Sequence, residues 1–328
     1  LTPRQQRLVA MIDSRIEGRW ENAFRLAQNA YERDPSDSWQ RVQLMMSASF
    51  DHRPGYVVDL FDWSVFDALT PDSFRFGVIR WVLQAHHFLG RHDEELALAR
   101  QQLAAGPTTT PGASARSLEL RALAAMGRMG EIETILTEVM LEPDPLSTDG
   151  EEMLSVVYEL RAHGYSDAAQ ALADRTVAWY EAQADAPPDQ RCDSCLASAL
   201  AASGRDDEAC SLLEELLTAE PDARGYVQGV GICAARRGDR ATAIEMETRI
   251  GEIGDRMGPT GVPYGSRGTT QMLQAGIATE LGDRDRAIKL IQQAIAAGYA
   301  YYEWLHIDPD FEPMWDDPEF QEIVRPKG

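Results

Sequence analysis

The most reactive spacing in the chain is Cys192-Asp-Ser-Cys195. It falls where a helix is expected to begin, and a helix N-terminus lowers a thiol pKa, so a redox pair or half of a zinc site is chemically available. Cys210 and Cys233 complete the set of four cysteines. No second C-x-x-C accompanies the first, and the other two thiols lie on expected packing faces. The favoured reading is therefore buried free thiols acting as small apolar groups. Three of the six histidines, His86, His87 and His92, crowd around one expected turn. Adjacent helical residues point about 100° apart, which sends His86 to the packing side and His87 to the opposite, inner side. No metal or cofactor site is expected from them. The acidic run Asp308, Asp310, Glu312, Asp316, Asp317 and Glu319 lacks the central glycine of a calcium loop, and prolines interrupt it. No nucleophile–base constellation is visible, so the chain is read as non-catalytic.

The cations are lopsided: all but two (Lys289 and Lys327) of the 31 basic residues are arginine. Each arginine carries a planar fork suited to carboxylates and phosphates. The formal charge of −22 argues against nucleic acid or an anionic membrane as a partner. No apolar run reaches the ~18 residues of a membrane span, and the polar start does not read as a signal peptide. Few cysteines suggest a reducing, cytoplasmic setting. The chain begins at Leu1 rather than Met and is read as a piece of a longer or processed protein.

The elements that must position these residues recur. Helical stretches alternate with Gly-polar turns: Gly18-Arg-Trp-Glu-Asn-Ala23, Gly164-Tyr-Ser-Asp-Ala-Ala169, Gly204-Arg-Asp-Asp-Glu-Ala209, Gly238-Asp-Arg-Ala-Thr-Ala243 and Gly282-Asp-Arg-Asp-Arg-Ala287. Gly90 and Gly127 open weaker copies, and His52-Arg-Pro-Gly55 is read as a degenerate one. Successive spacings of these eight glycines are 37, 35, 37, 37, 40, 34 and 44 residues. Glycine ends the first helix of each unit because it tolerates a left-handed backbone. The alanine five residues later lets two helices approach. Seven residues before each glycine stands a small or apolar residue (Met11, Ala48, Leu83, Leu120, Val157, Ala197, Gly231, Ala275), the expected seam.

This pattern resembles a tetratricopeptide-repeat array of eight copies. The expected fold is all-α, a right-handed α-α superhelix of about sixteen helices over residues 1–297. Residues 298–328 are expected to form a C-terminal capping segment, with Tyr301, Tyr302, Trp304, Leu305, Phe311, Trp315 and Phe320 covering the last repeat. The segment Leu305-His-Ile-Asp-Pro-Asp-Phe-Glu-Pro-Met-Trp-Asp-Asp-Pro-Glu-Phe-Gln-Glu-Ile is similar to the closing segment of repeat regions that follow bacterial serine/threonine kinase, cyclase or winged-helix regulator domains. The resemblance implies a non-catalytic scaffold for proteins or peptides. Repeat phasing places Arg15, Arg53, Arg80, Arg121, Arg161, Arg191 and Arg236 on the concave face, against only two acids, Glu151 and Glu280. Gln84, His87, Tyr158, Ser194, Ser198 and Gln228 accompany them. The expected groove residues are Arg80, Gln84, His87, Arg121, Tyr158, Arg161, Arg191, Gln228 and Arg236, and the expected ligand is an acidic peptide or a carboxylate. Two alternatives stand beside this reading: a homo-oligomeric assembly scaffold with no groove ligand, and a redox or zinc module built on Cys192 and Cys195.

Overall fold

The computed structural model describes residues 1–63, 72–104, 115–141, 149–183, 185, 191–258, 266–300 and 302–328. Sixteen of its helices form eight successive pairs. They are α1 (Pro3–Ile16) with α2 (Trp20–Arg33), α3 (Ser38–Phe50) with α4 (Pro54–Leu60), α5 (Asp72–Phe88) with α6 (His92–Ala104), and α7 (Ala115–Ala125) with α8 (Met129–Leu141). Then follow α9 (Asp149–Ala162) with α10 (Ser166–Glu181), α11 (Asp193–Ala202) with α12 (Asp206–Ala219), α13 (Arg224–Arg236) with α14 (Arg240–Met257), and α15 (Thr269–Glu280) with α16 (Arg284–Ala297). Two short helices, α17 (Tyr302–Leu305) and α18 (Pro318–Val324), flank a 3-10 turn at Pro309–Met314. Among the described residues there is no strand, only an isolated bridge between Ser266 and Tyr299. The fold is the expected all-α superhelical array.

Seven of the eight turns use a glycine with φ between 65° and 81°. In each, the next amide bonds back to a carbonyl five residues earlier at 2.8–2.9 Å, as in Arg205 N to Leu200 O. This is the Schellman closure that a left-handed residue permits. The turn alanines Ala23, Ala169, Ala209, Ala243 and Ala287 are at most 1% exposed, and the seam residues Leu83, Leu120, Val157 and Ala275 are fully buried. The buried apolar residues gather into four clusters spread along the array.

The second pair departs from the reading. Its left-handed residue is His52 (φ 56°), not Gly55, and Arg53 N closes the turn on Ala48 O at 2.8 Å. Gly55 lies inside α4. A non-glycine residue pays about 1–2 kcal/mol for this conformation, and here tertiary contacts offset it. The His52 ring stacks on Tyr302 (centroids 4.1 Å apart, planes 3° apart), meets Phe88 edge-on, and its Nε2 bonds Val324 O at 2.8 Å. The shift also moves Arg53 off the first helix and past the turn.

The array bends until its ends meet. Trp20 Nε1 donates to Gly298 O at 2.7 Å, and a Cβ on Gly18 would stand 2.7 Å from both Gly298 Cα and Ala297 O. Residues 302–328 then run across the inside of the bend. Asp-Pro pairs start both of their turns: Asp308 accepts from Asp310 N, and Asp317 from Glu319 N and Phe320 N. Tyr302, Leu305, Phe311, Met314 and Phe320, each at most 5% exposed, join Met272, Ala275, Ile288 and Ile291 of α15 and α16. Tyr301 lies outside the described residues, as does the Trp304 side chain.

Candidate functional site

Residues 302–328 lie against the first helices of several pairs and against the second helix of the last pair. Arg80 on α5 pairs with Glu303 (3.7 Å), Arg161 at the end of α9 with Glu312 (3.6 Å), and Gln228 on α13 donates to Asp310 at 2.7 Å. Lys327 Nζ meets Asp51 at 2.8 Å, and Arg53 donates both to Asp51 and to the carbonyl oxygen of Gly328. The concave face thus grips an acidic segment, and that segment is the chain's own.

Other expected groove arginines bond within the array. Arg121 holds Glu95, Arg236 bridges Glu280 (2.6 Å) and Asp206 (3.1 Å), Arg191 pairs with Asp193 (3.3 Å), and Arg161 also donates to Ala202 O (2.8 Å). Arg15 is buried between the first two pairs, donating to Gln43 O and Ser47 Oγ. Gln84 is half-buried on α5. Tyr158, Arg161, Gln228 and Arg236 converge on a cavity of about 230 Å³ between α9, α11, α13 and the 3-10 turn, roofed by Pro309, Asp310 and Glu312. Burial pushes the Asp308 carboxyl up to about 6. Burial and the neighbouring Asp308 charge push Asp310 well above the usual range, and burial raises the Tyr158 hydroxyl.

At the centre of the concave face is a cluster that sequence spacing did not reveal. His87 lies in the last turn of α5, Glu159 in the last turn of α9, His163 just after it, and His306 just after α17. Glu159 Oε1 lies 3.1 Å from His87 Nε2, 2.9 Å from His163 Nε2 and 3.8 Å from His306 Nε2. His87 Nε2 and His306 Nε2 are 3.2 Å apart. On its other side His87 Nδ1 meets Glu95 Oε2 at 2.9 Å, and His92 approaches the same oxygen at 3.4 Å. Arg121 Nε donates to the remaining Glu95 oxygen at 2.8 Å. Burial alone would depress His87, but Glu159 and Glu95 outweigh it and raise the ring to about 9. Burial opposes ionisation of Glu159, yet His87, His163 and His306 hold it well below the carboxylate range. Arg121 and His87 do the same for Glu95. Burial lowers His306.

The expectation that His86, His87 and His92 offer no metal geometry meets a different arrangement, because His87 and His92 both lie in clusters of possible ligands. His86 stays outside the cluster, and His87 finds its partners 72, 76 and 219 residues away in sequence. The only local signal was His92, five residues on across the turn.

The cysteine reading is corrected. Cys192 is disulfide-bonded to Cys195 and Cys210 to Cys233, leaving no free thiol. Cys192 caps α11, whose first turn brings Cys195 alongside; Cys210 and Cys233 face each other from α12 and α13. No thiolate is left for zinc. Two disulfides are the habit of an oxidising compartment.

A sequence profile of the tetratricopeptide repeat matches residues 195–225, which run from α11 through α12 to the start of α13. This unit is a tetratricopeptide repeat. Six other helix pairs share its glycine Schellman turn, and four of them share its buried alanine as Ala23, Ala169, Ala243 and Ala287. No curated protein matches the chain. Solved structures similar to it include a tetratricopeptide repeat protein from Parabacteroides merdae (11% identity, 98% of this chain and 96% of that one, TM-score 0.41). Yeast Tom70 is also similar (13% identity, 97% and 68%, TM-score 0.30), as is the tetratricopeptide domain of P58(IPK) (12% identity, 98% and 96%, TM-score 0.24). No helix among the described residues is long and apolar enough to cross a membrane.

Proposed function

We propose that this chain is a non-catalytic, protein-binding scaffold whose concave face takes acidic peptide segments, serving as the regulatory part of a signalling protein of bacterial type. The observation that carries the reading is the engagement of Glu303, Asp310 and Glu312 by Arg80, Gln228 and Arg161. A partner with the same acidic spacing competes with residues 302–328 for the same donors. A covalently attached segment acts at an effective concentration of roughly millimolar, so the resident segment sets the threshold for such a partner. Arg121 drops out of the groove, because Glu95 already holds its guanidinium.

The test is a labelled peptide copying residues 303–313, titrated against the full chain. Binding is expected to be weak in the native protein. It should strengthen when residues 302–328 are loosened by Phe311→Ala, and vanish when Arg80→Glu and Arg161→Glu are added. Equal binding by the charge-reversed protein refutes the groove. A second reading, self-assembly, is favoured by one feature. Helix α1 exposes Leu8 (38%), Val9 (42%), Ile12 (41%) and Ile16 (52%), an apolar face at the end of the array. Light scattering on the Ile12→Glu and Ile16→Glu variant distinguishes a dimer through α1 from a monomer.

A further inference from the structure

We infer that His87, Glu159, His163 and His306 form a closed four-ligand site for a zinc-type divalent cation that fastens residues 302–328 to the concave face. Four of the six histidines in the chain gather within one small volume, from α5, α6, α9 and the segment after α17. Three of them turn Nε2 toward a single carboxylate oxygen. The ligand atoms of the four residues lie within 4.8 Å of one another, with separations of 2.9, 3.1, 3.2 and 3.8 Å between named pairs. Metal–nitrogen bonds of about 2.0–2.1 Å in a tetrahedron put neighbouring ligand atoms about 3.3 Å apart. The four named edges bracket that value, and the remaining two lie within 4.8 Å, so the ligand atoms already surround a position an ion can take.

The chemistry of the donor set agrees. Three imidazoles and one carboxylate suit zinc and its late transition-metal neighbours, and are a poor match for calcium or magnesium. The surrounding groups are those of a metal site. The ring nitrogen of His87 that faces away meets Glu95, which Arg121 and His92 hold in place. This histidine–carboxylate pairing fixes the tautomer that presents Nε2 to an ion. Glu159 is buried with its Oε2 unpartnered among the described residues, a costly arrangement that a cation bound to the carboxylate offsets. Among the described residues Glu95 is ion-paired with Arg121, while Glu159 is paired with histidines alone, so a cation at the centre takes the place of the proton that otherwise bridges them. His163 is exposed at the rim and leaves an entry path. The competing arrangement is a buried ion pair in which a proton on His87 serves both carboxylates.

The experiment uses the untagged full chain, stripped with a chelator and titrated with zinc chloride at neutral pH. One ion per chain is expected, and cobalt substituted for zinc should give the intense visible bands of a tetrahedral site. His163→Ala and His306→Ala should each weaken binding at least 100-fold. Both positions are incompletely buried, and circular dichroism checks that each variant keeps its helices. Glu95→Gln, acting through His87, should cost 10- to 100-fold with the stoichiometry unchanged. His86→Ala should have no effect. Absence of zinc binding by the native chain, or unchanged affinity in both His163→Ala and His306→Ala, overturns the site and leaves the protonated ion pair.

Discussion

Phe311→Ala tests whether residues 302–328 can leave the concave face while the array stays folded. Phe311 is 1% exposed and packs with Met272, Ala275 and Phe320, its ring centroid 5.9 Å from that of Phe320. Truncating a buried phenylalanine to alanine costs about 3–5 kcal/mol, from lost transfer energy and the cavity left behind. At about 1.4 kcal/mol per factor of ten, the docked-to-undocked ratio of the segment falls roughly 140- to 4000-fold. Amide hydrogen exchange read by mass spectrometry over residues 302–324 reports that ratio directly. Leu136→Ala is the control. Leu136 is fully buried on α8, away from the segment, and its loss costs a similar 2–5 kcal/mol. Exchange in 302–324 should quicken in Phe311→Ala and stay near native in Leu136→Ala, with α7 to α10 showing the reverse. If both variants speed exchange in the two regions equally, segment and array open as one unit, and the idea of a displaceable occupant is wrong.

Other expectations follow from particular contacts. Burial depresses His52 to about 4, against 6.5 for a free ring, with Lys327 and His306 opposing protonation and Asp51 and the Val324 carbonyl favouring it. The docked ring is neutral, so docking is undiminished above pH 6.5. It weakens as pH falls toward 4, by up to ~3 kcal/mol, and proteolysis at the C-terminus should quicken over that window. In His52→Gly that dependence should disappear while the turn itself becomes easier to form. Gly18→Ala faces both a left-handed backbone and contacts at 2.7 Å. It should cost more than ~2 kcal/mol and open the end-to-end contact, raising the radius measured by small-angle scattering. Gly204→Ala meets nothing within 4 Å, so only the left-handed backbone counts and it should cost about 1–2 kcal/mol. The Cys210–Cys233 disulfide spans a sequence separation of 23, so its reduction should destabilise the array by about 3 kcal/mol in chemical denaturation; no change would place its effect elsewhere.

Much of the fold was legible because each unit is specified locally. A glycine that closes a Schellman turn, an alanine five residues on and a seam residue seven before are all read within about a dozen residues, and each ended buried or left-handed as its chemistry required. The second turn misled the reading, since Gly55 offered the obvious left-handed residue. The actual one, His52, is tolerable only because Tyr302, Phe88 and Val324 hold its ring, and those lie up to 272 residues away. Repeat phasing picked out a set of arginines, but it could not tell which of them bond to neighbouring helices (Arg15, Arg121, Arg236) and which to the C-terminal segment (Arg80, Arg161).

The amino-acid sequence by itself determined the period, the helix pairs and the net acidic charge, because propensity, turn chemistry and apolar spacing act over short distances. Tertiary structure alone decided the rest. The curvature summed over eight units sets where the ends meet, and so places residues 302–328 against α3, α5, α9 and α13. The histidine–carboxylate cluster and the Cys210–Cys233 pair arise in the same way, from helices brought face to face. Small rotations between repeats accumulate along the stack, and no local stretch of sequence records their sum.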